Sequence, residues 1–207
     1  MTPQLLIACH SDFTVEQIDA LAEGLPSERR ARVKRHRSID ARFGETLAYA
    51  LLALGAKRLI GADSLPSLAY GENGKPDLPD LPLTFSISHA EHATAVLLAH
   101  GELDLGLDLE RVRQIRSPLL RRFASEDEIA SLSSADDAIT LWTKKEAVAK
   151  RSGAGLKGDL RDIATNDTHS LYLTLSGLRS VLSFSPASVA DRLTPTIVLP
   201  HDLVGII

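Results

Sequence analysis

Leucine stands at every second position from Leu103 to Leu109, with Asp104, Gly106, Asp108 and Glu110 filling the places after each one. A strand sends successive side chains to opposite faces, so this order specifies a strand with one apolar and one acidic face. The apolar face demands a core to cover it. The acidic face carries Asp108 and Glu110 side by side, and two such carboxylates repel unless a cation lies between them. Hard divalent cations accept oxygen ligands of this kind, and magnesium typically takes one or two carboxylates together with substrate phosphates. The plain structural alternative is a half-exposed strand with a solvated acidic side.

About thirty residues on, Leu141-Trp142-Thr143-Lys144-Lys145-Glu146-Ala147-Val148-Ala149-Lys150 has the composition of a helix. Glu146 and Lys150 are four apart and share a face, which sets a third acid beside a base able to hold a phosphate. The same pair is also an ordinary stabilising surface pair. Ser134, Asp136 and Asp137 start this helix, and Lys150, Arg151 and Gly153 suit its end.

The remaining elements follow from local chemistry. Leu5–Cys9 reads as a buried strand, and Thr14-Val15-Glu16-Gln17 as a capping box that opens a helix to about Glu23. A helix over Glu28–Arg37, with Ser27 as its cap, gathers Arg29, Arg30, Arg32, Lys34, Arg35 and Arg37 in a chain of net charge −4. Such an asymmetry fits an anionic partner, or a solvated helix face. From Ser38 to Ile60 apolar residues keep helical spacing. Asn73-Gly74 marks a tight turn, and Leu83–Ser88 and Ala93–Ala99 form an antiparallel pair. Residues 99–102 form a polar linker. Ser117–Phe123 is a short helix, Ser125–Glu128 a capping box, and Trp142 packs against a cleft wall. Leu171–Leu175, Val181–Phe184 and Thr196–Leu199 make the second half's antiparallel sheet.

Gly106-Leu107-Asp108-Leu109-Glu110, followed by Trp142-Thr143-Lys144-Lys145-Glu146-Ala147 and Lys150, resembles the paired signatures of the 4′-phosphopantetheinyl transferases, the larger surfactin-synthetase-activating type in particular. Gly74-Lys75-Pro76 and Phe85-Ser86-Ile87-Ser88-His89 resemble two further signatures in the same order. The likeness runs from about Glu28 to Leu156 and includes the glycines after Lys150. It implies an α+β fold of two similar halves, each an antiparallel sheet packed on a long helix, related by a pseudo-twofold axis. Residues 1–100 would be the N-terminal half and 101–207 the C-terminal half, with the site in the cleft between them.

The resemblance also implies a reaction. The 4′-phosphopantetheine arm of coenzyme A moves to a serine of an apo acyl or peptidyl carrier protein, and 3′,5′-ADP leaves. Asp108, Glu110 and Glu146 would hold Mg²⁺. Glu146 would take the serine proton, directly or through water, while Lys150 and His89 balance charge on the pyrophosphate. Coenzyme A would be bound by Arg29, Arg32, Lys75, Pro76, Ser88, His89 and Lys150. Arg35, Arg37 or Arg42 could share the 3′-phosphate, and Glu128 would lie near the metal or the carrier.

Composition narrows the rest. The single cysteine, Cys9, cannot pair within the chain, and no stretch approaches 18 apolar residues. The expectation is a cytoplasmic monomer that binds neither membrane nor nucleic acid. The rivals are a magnesium-dependent phosphodiesterase or nuclease, which should show a broader basic surface, and a module that binds coenzyme A or a carrier without turnover.

Overall fold

The computed structural model describes residues 2–65, 68–153 and 158–207. In chain order these give β1 (Gln4–Cys9), α1 (Val15–Gly24), α2 (Ser27–Arg35), α3 (Ile39–Ile60), β2 (Ala69–Tyr70), β3 (Pro76–Asp77), β4 (Leu83–His89) and β5 (Ala93–His100). Then follow β6 (Gly106–Arg111), α4 (Ser117–Phe123), α5 (Glu126–Ser131), α6 (Ala135–Ser152), β7 (His169–Leu175), β8 (Leu178–Ser185) and β9 (Pro195–Ile197). The fold is mixed α+β. One sheet has the order β4-β5-β1-β9, a second β6-β8-β7, and β2-β3 is a small hairpin.

The strand period decides the layering. Leu6, Ala8, Phe85, Val96 and Leu98 point to one side of the first sheet, where Leu47, Leu51 and Leu54 of α3 cover them. Leu5, Ile7, Ala95 and Leu97 point to the other side and meet Leu107, Leu109, Leu182 and Phe184 of the second sheet. The first sheet is thus apolar on both faces, which is why residues 5–9 of β1 and 95–99 of β5 read as apolar runs. α6 covers the far side of the second sheet through β6 and β8. Leu107 and Leu109 are buried as the alternation requires, each contributing about 2 kcal/mol of burial.

The two sheets are stitched by side chains. The free edge of β6 would leave backbone donors unpaired, but Ser86 Oγ accepts from Leu107 N–H at 3.0 Å and Ser88 Oγ from Leu109 N–H at 3.1 Å. In the turn that joins β4 to β5, His92 Nε2 bonds Ser180 Oγ at 2.8 Å.

Two expectations are corrected. The strand near Thr196 does not complete the second sheet: Leu5, Leu6 and Ile7 of β1 pair in parallel with Pro195, Thr196 and Ile197. Val198 and Leu203 then bury themselves in the core beneath α3, which draws the C-terminal segment to the first sheet. That sheet is therefore mixed, not wholly antiparallel. Ser27 also does not cap α2; Pro26 occupies the cap and Ser27 is the first helical residue. The capping boxes of Thr14 with Gln17 and Ser125 with Glu128 are both formed.

Candidate active site

Gly106 sets the geometry. A Cβ there would lie 1.8 Å from Ala147 O, so β6 rests directly on the backbone of α6. Two residues along, Asp108 is brought against Glu146 and Lys150 of that helix. Lys150 Nζ lies 2.7 Å from Asp108 Oδ1 and 3.1 Å from Ser88 Oγ. Ser88 in turn donates to Asp108 Oδ1 at 3.0 Å while accepting from Leu109 N–H. A hydroxyl has one donor and two acceptor positions, so Ser88 is fully used.

Asp108 Oδ2 is buried without a partner. Glu146, 8% exposed, has its pKa pushed up to about 7, by burial first and then by the charge of Asp108, with Lys150 opposing and Glu110 adding. Three negative groups therefore share one field that the Lys150 ammonium does not neutralise. Glu110 is less buried and turns to Arg113 at 2.6 Å. Among the described residues, no group of three His, Cys, Asp or Glu side chains stands ready to hold a metal ion. The donor set nevertheless suits a hard cation: all oxygen, with one orphaned buried oxygen and a carboxyl whose pKa is raised by burial and then by the charge of Asp108.

His89 ends β4 and lies on α3, where a Cβ on Gly44 would be 2.9 Å from His89 Cγ. Burial foremost, and then Lys150, hold the His89 pKa below its ordinary value. It therefore offers a hydrogen bond more readily than a charge at neutral pH. Beside it opens a cavity of about 240 Å³ lined by Arg29, Arg32, Glu45, Tyr70 and Pro76 among others. A neighbouring cavity of about 220 Å³ is lined by Lys75, Pro76, Ser86 and Lys150, and the two share Gly74, Pro76 and Ile87. Lys75 itself crosses to α6, donating to Arg151 O at 2.8 Å.

The basic cluster sorts into two faces. Arg30 and Lys34 pair with Glu23 of α1, away from the cavity. Arg29 and Arg32 both pair with Glu45 of α3 and line the cavity. Arg42 is bonded to Asp19. Glu128 does not reach the acid cluster through any bond: it closes its capping box and receives Lys145 Nζ at 2.9 Å. Lys145 is wholly buried and also donates to Leu160 O and Arg161 O. Trp142 packs edge-to-face on Phe123, with centroids 4.9 Å apart. Ala154, Gly155 and Leu156, the expected glycine-containing continuation, lie outside the described residues.

Glu45, Tyr70 and Gly44 escaped the sequence reading. Gly44 carried a signal, since an isolated glycine inside a helical pattern usually marks a close approach. Glu45 and Tyr70 carried none.

Known proteins align with these features. The sequence pattern of the 4′-phosphopantetheinyl transferase superfamily matches residues 104–193. The Synechocystis sp. protein slr0495 is 30% identical over 162 residues, covering 72% of this chain and 65% of that protein. The 4′-phosphopantetheinyl transferase ffp of Bacillus subtilis is 31% identical over 155 residues, covering 68% and 66%. The 4′-phosphopantetheinyl transferase Sfp of Bacillus subtilis strain 168 is 37% identical over 92 residues, covering 41% and 40%. The chain thus spans just under two thirds of the first two of these relatives.

Proposed function

Because this chain belongs to the 4′-phosphopantetheinyl transferase superfamily, we propose that it transfers the phosphopantetheine arm of coenzyme A to a serine of an apo carrier protein and releases 3′,5′-ADP. The observation that carries the reading is the meeting of Asp108, Glu146 and Lys150 next to the cleft that Lys75, Pro76, His89, Arg29 and Arg32 line.

Phosphoryl transfer asks for positioning and charge neutralisation more than for covalent chemistry. Arg29 and Arg32 suit the 3′-phosphate, Lys75 and Pro76 the adenine side, and Ser88, His89 and Lys150 the pyrophosphate. Asp108 and Glu146 would hold Mg²⁺, joined by Glu110 once it leaves Arg113. Magnesium, when bound, neutralises charge on the diphosphate and polarises its oxygens. The serine oxygen forms its bond to the phosphorus that carries pantetheine, and the bond from that phosphorus to the oxygen of 3′,5′-ADP breaks. The serine proton passes to Glu146, directly or through water. Lys150 gives up Asp108 to meet the pyrophosphate, and His89 donates a hydrogen bond to it.

Two similar halves about a pseudo-twofold axis, residues 1–100 and 101–207, belong to the same proposal. One long helix on each sheet supports them, and β9 departs from the symmetry by joining the first sheet. A cytoplasmic monomer with no nucleic-acid partner completes the reading. Among the described residues no helix is long and apolar enough to cross a membrane.

The deciding experiment incubates the protein with coenzyme A, Mg²⁺ and a panel of apo carrier proteins and reads intact mass. A gain of one phosphopantetheine on a carrier is the expected result. Coenzyme A bound without any carrier modified would favour a binding module. Cleavage of coenzyme A or of nucleic acid without transfer would favour the phosphodiesterase.

A further inference from the structure

Arg29 and Arg32 stand three apart on one face of α2, where two guanidinium groups repel. Glu45 divides its carboxylate between them: Oε1 lies 3.0 Å from Arg29 Nη1 and Oε2 lies 3.2 Å from Arg32 Nε. The Arg29 and Glu45 side chains are only 10% and 13% exposed. A guanidinium that deep needs a counter-charge, so Glu45 determines where Arg29 sits. Tyr70, on the β2–β3 hairpin, accepts a hydrogen bond from Arg29 Nη2, and the Arg29 guanidinium lies 5.3 Å from the centre of its ring.

α2, α3 and the hairpin are joined at one node. Two cations against one carboxylate leave a net positive charge, and His36 Nε2, buried without a hydrogen-bond partner, lies 3.9 Å from Glu45. Arg32 uses Nε on Glu45, and among the described residues nothing bonds its two terminal nitrogens. The node opens on the 240 Å³ cavity with His89 on its wall.

We propose that Glu45 is a positioning residue which, braced by Tyr70, holds Arg29 and Arg32 as a fixed receptor for a phosphate monoester dianion. The inference rests on the coenzyme A reading and deepens it: selectivity for the 3′-phosphate depends on an acid that does not itself touch the phosphate. The opposite reading is direct. A carboxylate beside an anion site repels the anion, and its removal would then tighten binding. The two readings predict changes of opposite sign.

The test measures calorimetric binding of coenzyme A and of dephospho-coenzyme A, which lacks the 3′-phosphate, to the wild type, Glu45→Gln and Tyr70→Phe. The wild type is expected to prefer coenzyme A by about tenfold or more, the worth of one charge-assisted hydrogen bond. Glu45→Gln should bring that preference to within about threefold by weakening coenzyme A alone, with kcat at saturating coenzyme A changed by less than about threefold, as loss of uniform binding requires. Tighter coenzyme A binding in Glu45→Gln, an unchanged preference, or equal weakening of both ligands overturns the inference while leaving the transferase reading intact. A wild type that binds neither ligand overturns both. Should Glu45→Gln fail to fold, Tyr70→Phe decides. A reduced preference in that variant supports the node, and an unchanged one removes it.

Discussion

Gly106 and Ala147 touch where no side chain fits: a methyl on Gly106 would fall 1.8 Å from the Ala147 carbonyl oxygen. The obstacle is helix backbone, which cannot rotate away as a side chain can. Gly106→Ala should therefore destabilise the protein by about 3 kcal/mol or more, the upper range for overpacking, measurable by urea denaturation. Any variant that still folds must part β6 from α6 and separate Asp108 from Lys150. The transfer proposed for it should fall further than its stability explains.

Glu146 makes stability depend on pH. Its pKa is about 7 in the folded protein against an ordinary 4.5. Between these values the folded state keeps a proton that the unfolded state has released. Stability thus falls as pH rises through this window, by an order of 3 kcal/mol in total. Denaturation from pH 4.5 to 8.5 without divalent ions should show the wild type losing stability relative to Glu146→Gln across this window, while burial of His10, whose pKa is held at about 4, raises the stability of both proteins as pH climbs toward 6.5.

Magnesium should act in the opposite direction at pH 8, where Glu146 is ionised. A cation bound to the folded state alone raises the midpoint, by an amount that grows with the logarithm of its free concentration above Kd. The wild type should gain thermal stability with millimolar magnesium. Asp108→Ala, which lacks the orphaned oxygen and its partner, should gain none and should lose turnover while remaining folded.

Ser86 and Ser88 each satisfy one backbone donor of β6. Replacing either by alanine leaves a buried N–H unpaired, at a cost of about 1–3 kcal/mol. The two variants should lose similar stability in denaturation. Ser88 also bonds Asp108 and Lys150, so Ser88→Ala should disturb turnover well beyond Ser86→Ala.

Lys144 and Lys145 are neighbours with unlike duties. Lys145 is wholly buried on Glu128 and two carbonyl oxygens. Lys145→Met should cost about 3–5 kcal/mol, as removal of one member of a buried pair does. Lys144→Met should stay within about 0.5 kcal/mol, as a surface change away from such a network does. Parallel denaturation curves make the comparison.

What sequence made legible was local. The leucine alternation placed Leu107 and Leu109 in the core and Asp108 on the opposite face, and the spacing of a hydroxyl to a Gln or Glu three residues on located the caps at Thr14 and Ser125. Periodicity reports how one segment divides its faces, so it served there. It says nothing of which distant segment lies alongside, and Thr196 was accordingly assigned to the wrong sheet. Arg29, Arg30, Arg32 and Lys34 could not be sorted either, because their partners, Glu23 and Glu45, lie on two other helices. Lys145 looked no different from Lys144 for the same reason.

The parallel pairing of β9 with β1 binds the tail of the chain to its head. Neither portion of the molecule is thus self-sufficient. A fragment ending near Gly101 would lack the outer strand of its own sheet, with Val198 and Leu203 missing from beneath α3. A chain cut near Gly101 should keep its pieces together through this strand, through the serine bonds to β6 and through the buried leucines.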